Sequence, residues 1–323
     1  MSGAHDHGSG HHHHGHAQGV ERAQLTSRAA MASVAVALLL VVLKGDAAWV
    51  TGSVAMLGSL ADTTLDLIAS LVTFFGVRYA AMPADADHRF GHGKAEALAA
   101  LVQVILIAFS ALAIGWRAID RLRQGEVTQG LETGIGVSLI AMAATFALLA
   151  YQRYVIGRTG SIAIRTDHVH YQSDLLLNLS VIVALVLDQR FGWHLADPLL
   201  GMAIALWLVW GAYRAASHSI DQLMDREWSD GERATFLTAA KEFPELAGLH
   251  DMRTRSSGAH RFIQFHVWVP GEWSVRDAHD KLDACEEALQ QRFPGTEIII
   301  HLDPHGHTDR ETMLPSRLTE VHE

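Results

Sequence analysis

The sequence predicts a membrane protein in which an all-α domain of six transmembrane helices precedes a small α+β domain. Of its 323 residues, 49% are hydrophobic and only 19% are charged. Within the first two thirds, apolar stretches each approach the roughly 20 residues that a helix needs to cross a ~30 Å hydrocarbon core. They lie near 29–52, 57–80, 97–117, 133–151, 172–189 and 197–213. Because no water satisfies the backbone in lipid, each stretch is predicted to be helical.

The basic residues predict which side of the bilayer each loop occupies. Lysine and arginine are concentrated in the segments that share the side of the N-terminus, and such residues mark the cytoplasmic side. Arg117, Arg121 and Arg123 run against this pattern, although Asp120 and Glu126 lie beside them. We therefore expect a multi-pass membrane protein with both termini in the cytoplasm.

Beyond about residue 230 the composition becomes that of a soluble domain. Helical spacing at 231–243 and 274–292 alternates with strand patterns at 248–255, 261–269 and 296–301, and Ser-Ser-Gly between the first two strands indicates a hairpin. The order α-β-β-α-β predicts helices on one face of a sheet. The predicted organisation is a disordered histidine-rich tail at 1–24, native or a tag, a membrane domain at 25–216, a linker at 217–230, a cytoplasmic domain at 231–304 and a tail at 305–323.

Charge and cysteine content exclude several classes of function. A formal net charge of −10 argues against a nucleic-acid partner held by phosphate contacts. The single cysteine, Cys285, excludes an internal disulfide and a thiolate metal cluster within one chain. Histidine is abundant instead, with 21 residues. Any metal site is therefore expected to use imidazole and carboxylate ligands.

Two apolar stretches carry acidic residues and a histidine at matching spacing. Asp62 and Asp66 lie one helical turn apart in the second stretch, and His170 and Asp174 share that spacing in the fifth. A charged residue at mid-bilayer costs about 2.5–3.5 kcal/mol on insertion scales, so these groups need a partner. If the two helices face each other, four ligands converge, as a tetrahedral Zn²⁺ site requires. The structural alternative pairs these carboxylates with neighbouring helices or with Lys44.

The ligand chemistry favours transport of a divalent metal. One imidazole among carboxylates favours Zn²⁺, with Fe²⁺ and Cd²⁺ as alternatives. Because metal binds deprotonated ligands, protons and metal compete for the site, which suits an exchanger. A membrane-anchored metal sensor is the alternative function. A metalloenzyme is disfavoured, since His-Glu-x-x-His is absent and the four ligands would fill the zinc shell.

Longer motifs resemble the cation diffusion facilitator family, in its bacterial zinc and iron efflux branch. The matching segments, in the family's order, are Thr-Gly-Ser-Val-Ala at 51–55, Ala-Asp-Thr-Thr-Leu-Asp at 61–66, Pro-Ala-Asp-Ala-Asp-His-Arg-Phe-Gly-His-Gly-Lys-Ala-Glu at 83–96, His-Tyr-Gln-Ser-Asp at 170–174 and Phe-Ile-Gln-Phe-His at 262–266. The resemblance implies a homodimer of the bacterial inner membrane, in which each chain has a metallochaperone-like cytoplasmic domain. It further implies that the protein exchanges Zn²⁺ for H⁺ by alternating access. It also implies that Asp62, Asp66, His170 and Asp174 form the transport site.

The resemblance implies further metal sites and a charge contact. A loop site between the second and third spans would use Asp85, His88 and His92, with Asp87 as a substitute for Asp85. A binuclear zinc site in the cytoplasmic domain, which we expect to regulate transport, would use His250, His266, His279, His301 and Asp303. Lys94 and Asp225 would form a charge contact where the dimer halves meet.

Overall fold

The computed structural model describes residues 13–51, 54–124, 135–193 and 195–306. Long helices fill the N-terminal part, namely α1 (His13–Thr51), α2 (Val54–Ala80), α3 (Ala95–Gln124), α4 (Ile135–Thr159), α5 (Ile162–Phe191) and α6 (Ala196–Leu223). The C-terminal part contains α7 (Asp230–Ala240), β1 (His250–Ser257), β2 (His260–Val269), α8 (Val275–Arg292) and β3 (Thr296–Pro304). One compact unit comprises Ala23–Leu223, and the other includes the residues from Met224 onward.

Two predicted boundaries differ from the structure. The histidine-rich tail was expected to be disordered through residue 24, but α1 begins at His13. The residues of α1 include no proline, which would interrupt a helix before the first span. Residues 1–12 lie outside the described residues. The predicted linker at 217–230 is helical through Leu223, which leaves only 224–229 between α6 and α7.

Five of the helices in the described residues are long and apolar enough to cross a membrane. They cover Glu21–Val50, Leu57–Ala80, Ala95–Arg123, Leu139–Thr159 and Ala196–Leu223. Helix α5 has a comparable length of 30 residues, carries several polar residues in its first half, and packs against α2, α3, α4 and α6. Five predicted spans are thus confirmed by length and composition, whereas α5 as the sixth span stays a prediction.

Side-chain burial in this unit follows the pattern of a protein solvated by lipid. Large apolar side chains such as Phe75, Trp116 and Tyr213 are exposed, whereas Gln103 and Gln152 are buried between helices. Small residues allow close helix contacts. A Cβ added to Gly76 of α2 would overlap the Cβ of Ala99 on α3.

The C-terminal domain is a three-stranded sheet with the order β1-β2-β3. Strands β1 and β2 are antiparallel, and β2 and β3 are parallel with α8 as the crossover. Gly258, at φ 60°, permits the tight turn between β1 and β2. Phe236 from α7 and Leu289 from α8 pack in the core beside Ile263, Phe265 and Val267. The predicted order α-β-β-α-β is confirmed.

Alternation along β2 separates a core face from a ligand-bearing face. Ile263, Phe265 and Val267 are fully buried in the core, so Gln264, His266 and Trp268 project from the opposite face. Serine N-caps start both helices, with Ser229 before α7 and Ser274 before α8 each completing a capping box. The helices therefore begin at defined residues and cover one face of the sheet. The other face remains available for metal ligands.

Candidate metal centres

The intramembrane cluster joins α2 to α5. The Nε2 of His170 lies 3.0 Å from Oδ1 of Asp66. Ligand atoms of Asp66, His170 and Asp174 all lie within 4.8 Å of one another. His170 is buried and both carboxylates are half-buried, so these groups are largely withdrawn from the outer surface of the bundle. The arrangement offers one imidazole nitrogen and carboxylate oxygens to a single ion.

Asp62 stands slightly apart from the other three predicted ligands. It is exposed, and it is not in the group formed by Asp66, His170 and Asp174. It does interact electrostatically with Asp174, so it lies in the same region of the bundle. A rotation of its side chain or a small movement of α2 is required before all four residues can bind one ion.

Lys44 also reaches this region, although the sequence suggested no role for it beyond pairing with a carboxylate. Its Nζ donates to Oγ1 of Thr63 at 2.6 Å, and it interacts electrostatically with Asp174. Thr63 is the residue after Asp62, so the ammonium of α1 lies beside the acidic face of α2.

A fully buried carboxylate on α5 was missed in the sequence. Asp167 is completely buried and accepts hydrogen bonds from Nε2 of Gln103 on α3 at 3.0 Å and from Nε2 of Gln152 on α4 at 2.8 Å. The Gln103 amide also donates to Thr73 on α2, and that of Gln152 donates to Ser33 on α1 at 3.0 Å. Asp167 precedes His170 by three residues, a spacing that could have revealed it on the same polar stripe.

The N-terminal end of α5 is tied to α3. The Glu96 carboxylate accepts hydrogen bonds from the hydroxyl of Ser161 and from the backbone N–H of Ala163, at 3.3 Å for the latter. Glu96 therefore caps the first turn of α5, where the helix dipole favours a negative charge. This contact helps to set the position of the helix that carries His170 and Asp174.

The loop between α2 and α3 brings together its three predicted ligands. Asp85 lies 3.3 Å from Nδ1 of His88 through one oxygen and 3.2 Å from Nε2 of His92 through the other. The Nδ1 of His92 lies 3.2 Å from the carbonyl oxygen of Pro83, which leaves its Nε2 directed at the carboxylate. Asp87 contributes its backbone N–H to Asp85 rather than its carboxylate. Hydrogen bonds from the backbone N–H groups of His88 and Asp87 hold the pKa of Asp85 below its usual value.

The cytoplasmic cluster lies on the face of the sheet opposite the core. His250, His266 and His301 are aligned across the three strands, and ligand atoms of His250, His266 and Asp303 lie within 4.8 Å of one another. One oxygen of Asp303 lies 3.2 Å from Nε2 of His250 and 2.8 Å from Nδ1 of His266. Nδ1 of His250 donates to the carbonyl oxygen of Gly248, 2.8 Å away, so Nε2 faces the carboxylate.

Asp303 extends this cluster towards its remaining members. Its other oxygen lies 3.6 Å from Nε2 of His301, so the carboxylate lies between the imidazoles. Burial alone would raise the pKa of Asp303, but the hydrogen bond from His266 and the charges of His266 and His301 outweigh it, and the pKa lies below its usual value. His279 is exposed on α8 and is not part of the group of His250, His266 and Asp303.

Lys94 and Asp225, the two residues of the predicted charge contact, each contact another residue in the structure. The Nζ of Lys94 donates to the carbonyl oxygen of Leu223 at 3.3 Å, which places a cation at the C-terminal end of α6. Asp225 lies 3.8 Å from NH1 of Arg255. The contact between Lys94 and Asp225 at a dimer interface stays a prediction.

Comparison with known proteins assigns both parts of the chain to one family. Residues 30–224 match the cation efflux transmembrane domain, and residues 228–305 match the cytoplasmic domain of cation efflux proteins. The cation-efflux pump FieF of Klebsiella pneumoniae subsp. pneumoniae is 43% identical over 281 residues, which is 87% of this chain and 93% of the relative. FieF of Salmonella newport is 41% identical over 288 residues, covering 89% of this chain and 96% of the relative.

Two solved structures are similar to part of the chain. The zinc form of the transporter CzrB is 33% identical and covers 27% of this chain and 99% of its own, with a TM-score of 0.25. The metal-bound C-terminal domain of the CzcD transporter from Thermotoga maritima is 26% identical and covers 25% of this chain and 100% of its own, with a TM-score of 0.24.

Proposed function

Because the chain belongs to the cation diffusion facilitator family of cation efflux transporters, we propose that it exports zinc from the cytoplasm in exchange for protons. The transport site is the intramembrane cluster of Asp66, His170 and Asp174, which Asp62 completes when an ion is bound. The proximity of the His170 imidazole to the Asp66 carboxylate, across two helices, carries this proposal. An anchor for a metal sensor needs no such polar cluster between its helices.

The donor set supports zinc as the substrate. Hard ions such as Mg²⁺ prefer oxygen ligands alone, whereas imidazole with carboxylates suits Zn²⁺, Fe²⁺ and Cd²⁺. Zinc is the first candidate, since three carboxylates and one imidazole provide the four ligands of a tetrahedral shell. Fe²⁺ and Cd²⁺ are the alternative substrates.

The same residues provide the coupling to protons. Metal binds His170 and the carboxylates in their deprotonated forms, so its arrival releases protons and renewed protonation expels it. If the cluster opens alternately to the two sides of the membrane, this competition between metal and protons becomes antiport. The transported ion takes no part in a chemical reaction, so the protein is proposed to be a transporter and not an enzyme.

The cytoplasmic domain supports a regulatory role. His250, His266 and Asp303 offer three ligand atoms to one zinc ion, and Asp303 can bridge towards His301 and a second ion. Zinc bound here would stabilise a homodimer and adjust transport as cytoplasmic zinc rises. The loop cluster around Asp85 is proposed as a further metal site. The protein would lie in the bacterial inner membrane with both termini in the cytoplasm.

Metal flux into proteoliposomes tests the proposal. An imposed pH gradient should drive zinc transport. Fe²⁺ and Cd²⁺ should inhibit this transport more strongly than Mn²⁺ does. Asp66→Ala should abolish flux while leaving zinc binding by the cytoplasmic domain intact. Flux that ignores the pH gradient would contradict antiport, and full flux in Asp66→Ala would contradict the site. Zinc binding without flux in the unaltered protein would favour the sensor.

A further inference from the structure

Lys44 occupies an unusual place for a lysine near the end of a membrane span. It lies in α1 seven residues before Thr51, at which the helix ends. A lysine at such a position usually extends its side chain towards the membrane surface. Here the half-buried side chain instead reaches α2, where its Nζ donates to Oγ1 of Thr63. The ammonium therefore stays between helices.

Thr63 holds this ammonium next to the acidic face of α2. Thr63 is buried, and its hydroxyl in turn donates to the carbonyl oxygen of Ser59 at 3.0 Å, which fixes its orientation. Asp62 precedes Thr63 and Asp66 follows it by three residues, and Lys44 also interacts electrostatically with Asp174. The ammonium is thus held at Thr63, a neighbour in sequence of Asp62 and Asp66, and within electrostatic range of Asp174.

We propose that Lys44 is a resident cation of the transport site, whose ammonium competes with the substrate metal for the carboxylates and keeps the site weak enough to release its ion. The inference deepens the function proposed above and rests on it. Three ionised carboxylates carry one negative charge more than a divalent ion neutralises, and Lys44 balances that charge. The loaded site is then neutral, which lowers the cost of holding it away from water.

The electrostatic consequence has a definite sign. A positive charge near a bound divalent ion repels it, and this repulsion is large where the surroundings are less polarisable than water. Neutralising Lys44 should therefore tighten metal binding, and a tighter site should release its ion more slowly. Replacement by arginine retains the charge and the ability to donate to Thr63, and should keep the affinity near that of the unaltered protein.

Zinc affinity of the full-length protein tests this inference. Every protein in the comparison carries His92→Ala and Asp303→Ala, so that the loop and cytoplasmic clusters no longer bind zinc strongly. Isothermal titration in detergent at alkaline pH, where carboxylates are ionised, then compares Lys44→Met with Lys44→Arg. We expect Lys44→Met to lower the Kd by a factor on the order of ten or more. Lys44→Gln serves as a second neutral variant should the methionine variant fail to fold.

The outcomes separate this inference from the transport site itself. If the neutral variants bind zinc no more tightly than the protein with Lys44, the inference is overturned. Equal effects of Lys44→Met and Lys44→Arg on the Kd would also overturn it. Turnover in proteoliposomes should fall in Lys44→Met because release is slower, and an increase would also contradict the competition. If no zinc binds while Lys44 is present, the proposed transport site is wrong and the inference falls with it.

Discussion

The close crossing of α2 and α3 at Gly76 provides a sharp test of the packing that holds the proposed transport site. A methyl group at Gly76 would overlap the Cβ of Ala99 and lie 3.6 Å from both the Ala99 Cα and the Ala95 carbonyl oxygen. Carbon atoms pack at about 3.5–4.0 Å, so the two helices must separate by roughly 1 Å or more. Ala99 has no flexible side chain that could move away instead.

We expect Gly76→Ala to destabilise the protein. Overpacking of this kind costs about 1–3 kcal/mol, of which about 0.5–1 kcal/mol is returned because alanine is a better helix former than glycine. The net loss should be centred near about 1 kcal/mol. Because α2 also carries Asp66, a displaced helix should lengthen its contact with His170 and reduce zinc flux.

Thermal unfolding in detergent and zinc flux in proteoliposomes measure the two effects. Gly157 on α4 is the matched control, since an added Cβ there would have no neighbour within 4 Å. Gly157→Ala should be neutral or slightly stabilising. Ala99→Gly in the Gly76→Ala background removes the overlapping methyl and should restore much of the stability. Equal behaviour of the two glycine variants, or no rescue by Ala99→Gly, would refute the reasoning.

Two further predictions concern single carboxylates. Glu96→Ala should cost about 0.5–2 kcal/mol because α5 loses its cap at Ser161, whereas Glu96→Gln should retain most stability by thermal unfolding; equal losses would contradict the cap. The depressed pKa of Asp303 stabilises the metal-free fold above the usual aspartate pKa, and this contribution is lost as pH falls through the lower folded value. The stability advantage over Asp303→Asn, followed by tryptophan fluorescence with a chelator, should therefore shrink as the pH falls from about 5 to below about 4; an advantage that grows over this acidic range would be inconsistent with it.

Local patterns in the sequence predicted much of the fold. Apolar length identified five spans, and the strand patterns predicted the three strands of the sheet. The spacing of four residues correctly put His170 and Asp174 on one side of α5. These properties are local, so they can be read without knowing which helices touch.

Contacts between distant residues could not be predicted in the same way. Spacing placed Asp62 and Asp66 on one face of α2, but the packing of α2 against α5 leaves Asp62 exposed. Asp167 was overlooked because its partners come from other helices. Lys44 reaches Thr63 across 19 positions, and only the approach of α1 to α2 makes that contact visible.

Zinc spectroscopy of the full-length protein tests the central claim most directly. With the loop and cytoplasmic clusters removed by His92→Ala and Asp303→Ala, X-ray absorption should detect one zinc per chain, bound by oxygen and by one imidazole nitrogen. His170→Ala should eliminate the imidazole contribution, and Asp66→Ala should eliminate most of the bound zinc. Zinc that remains with an unchanged coordination shell in either variant would contradict a site shared between α2 and α5.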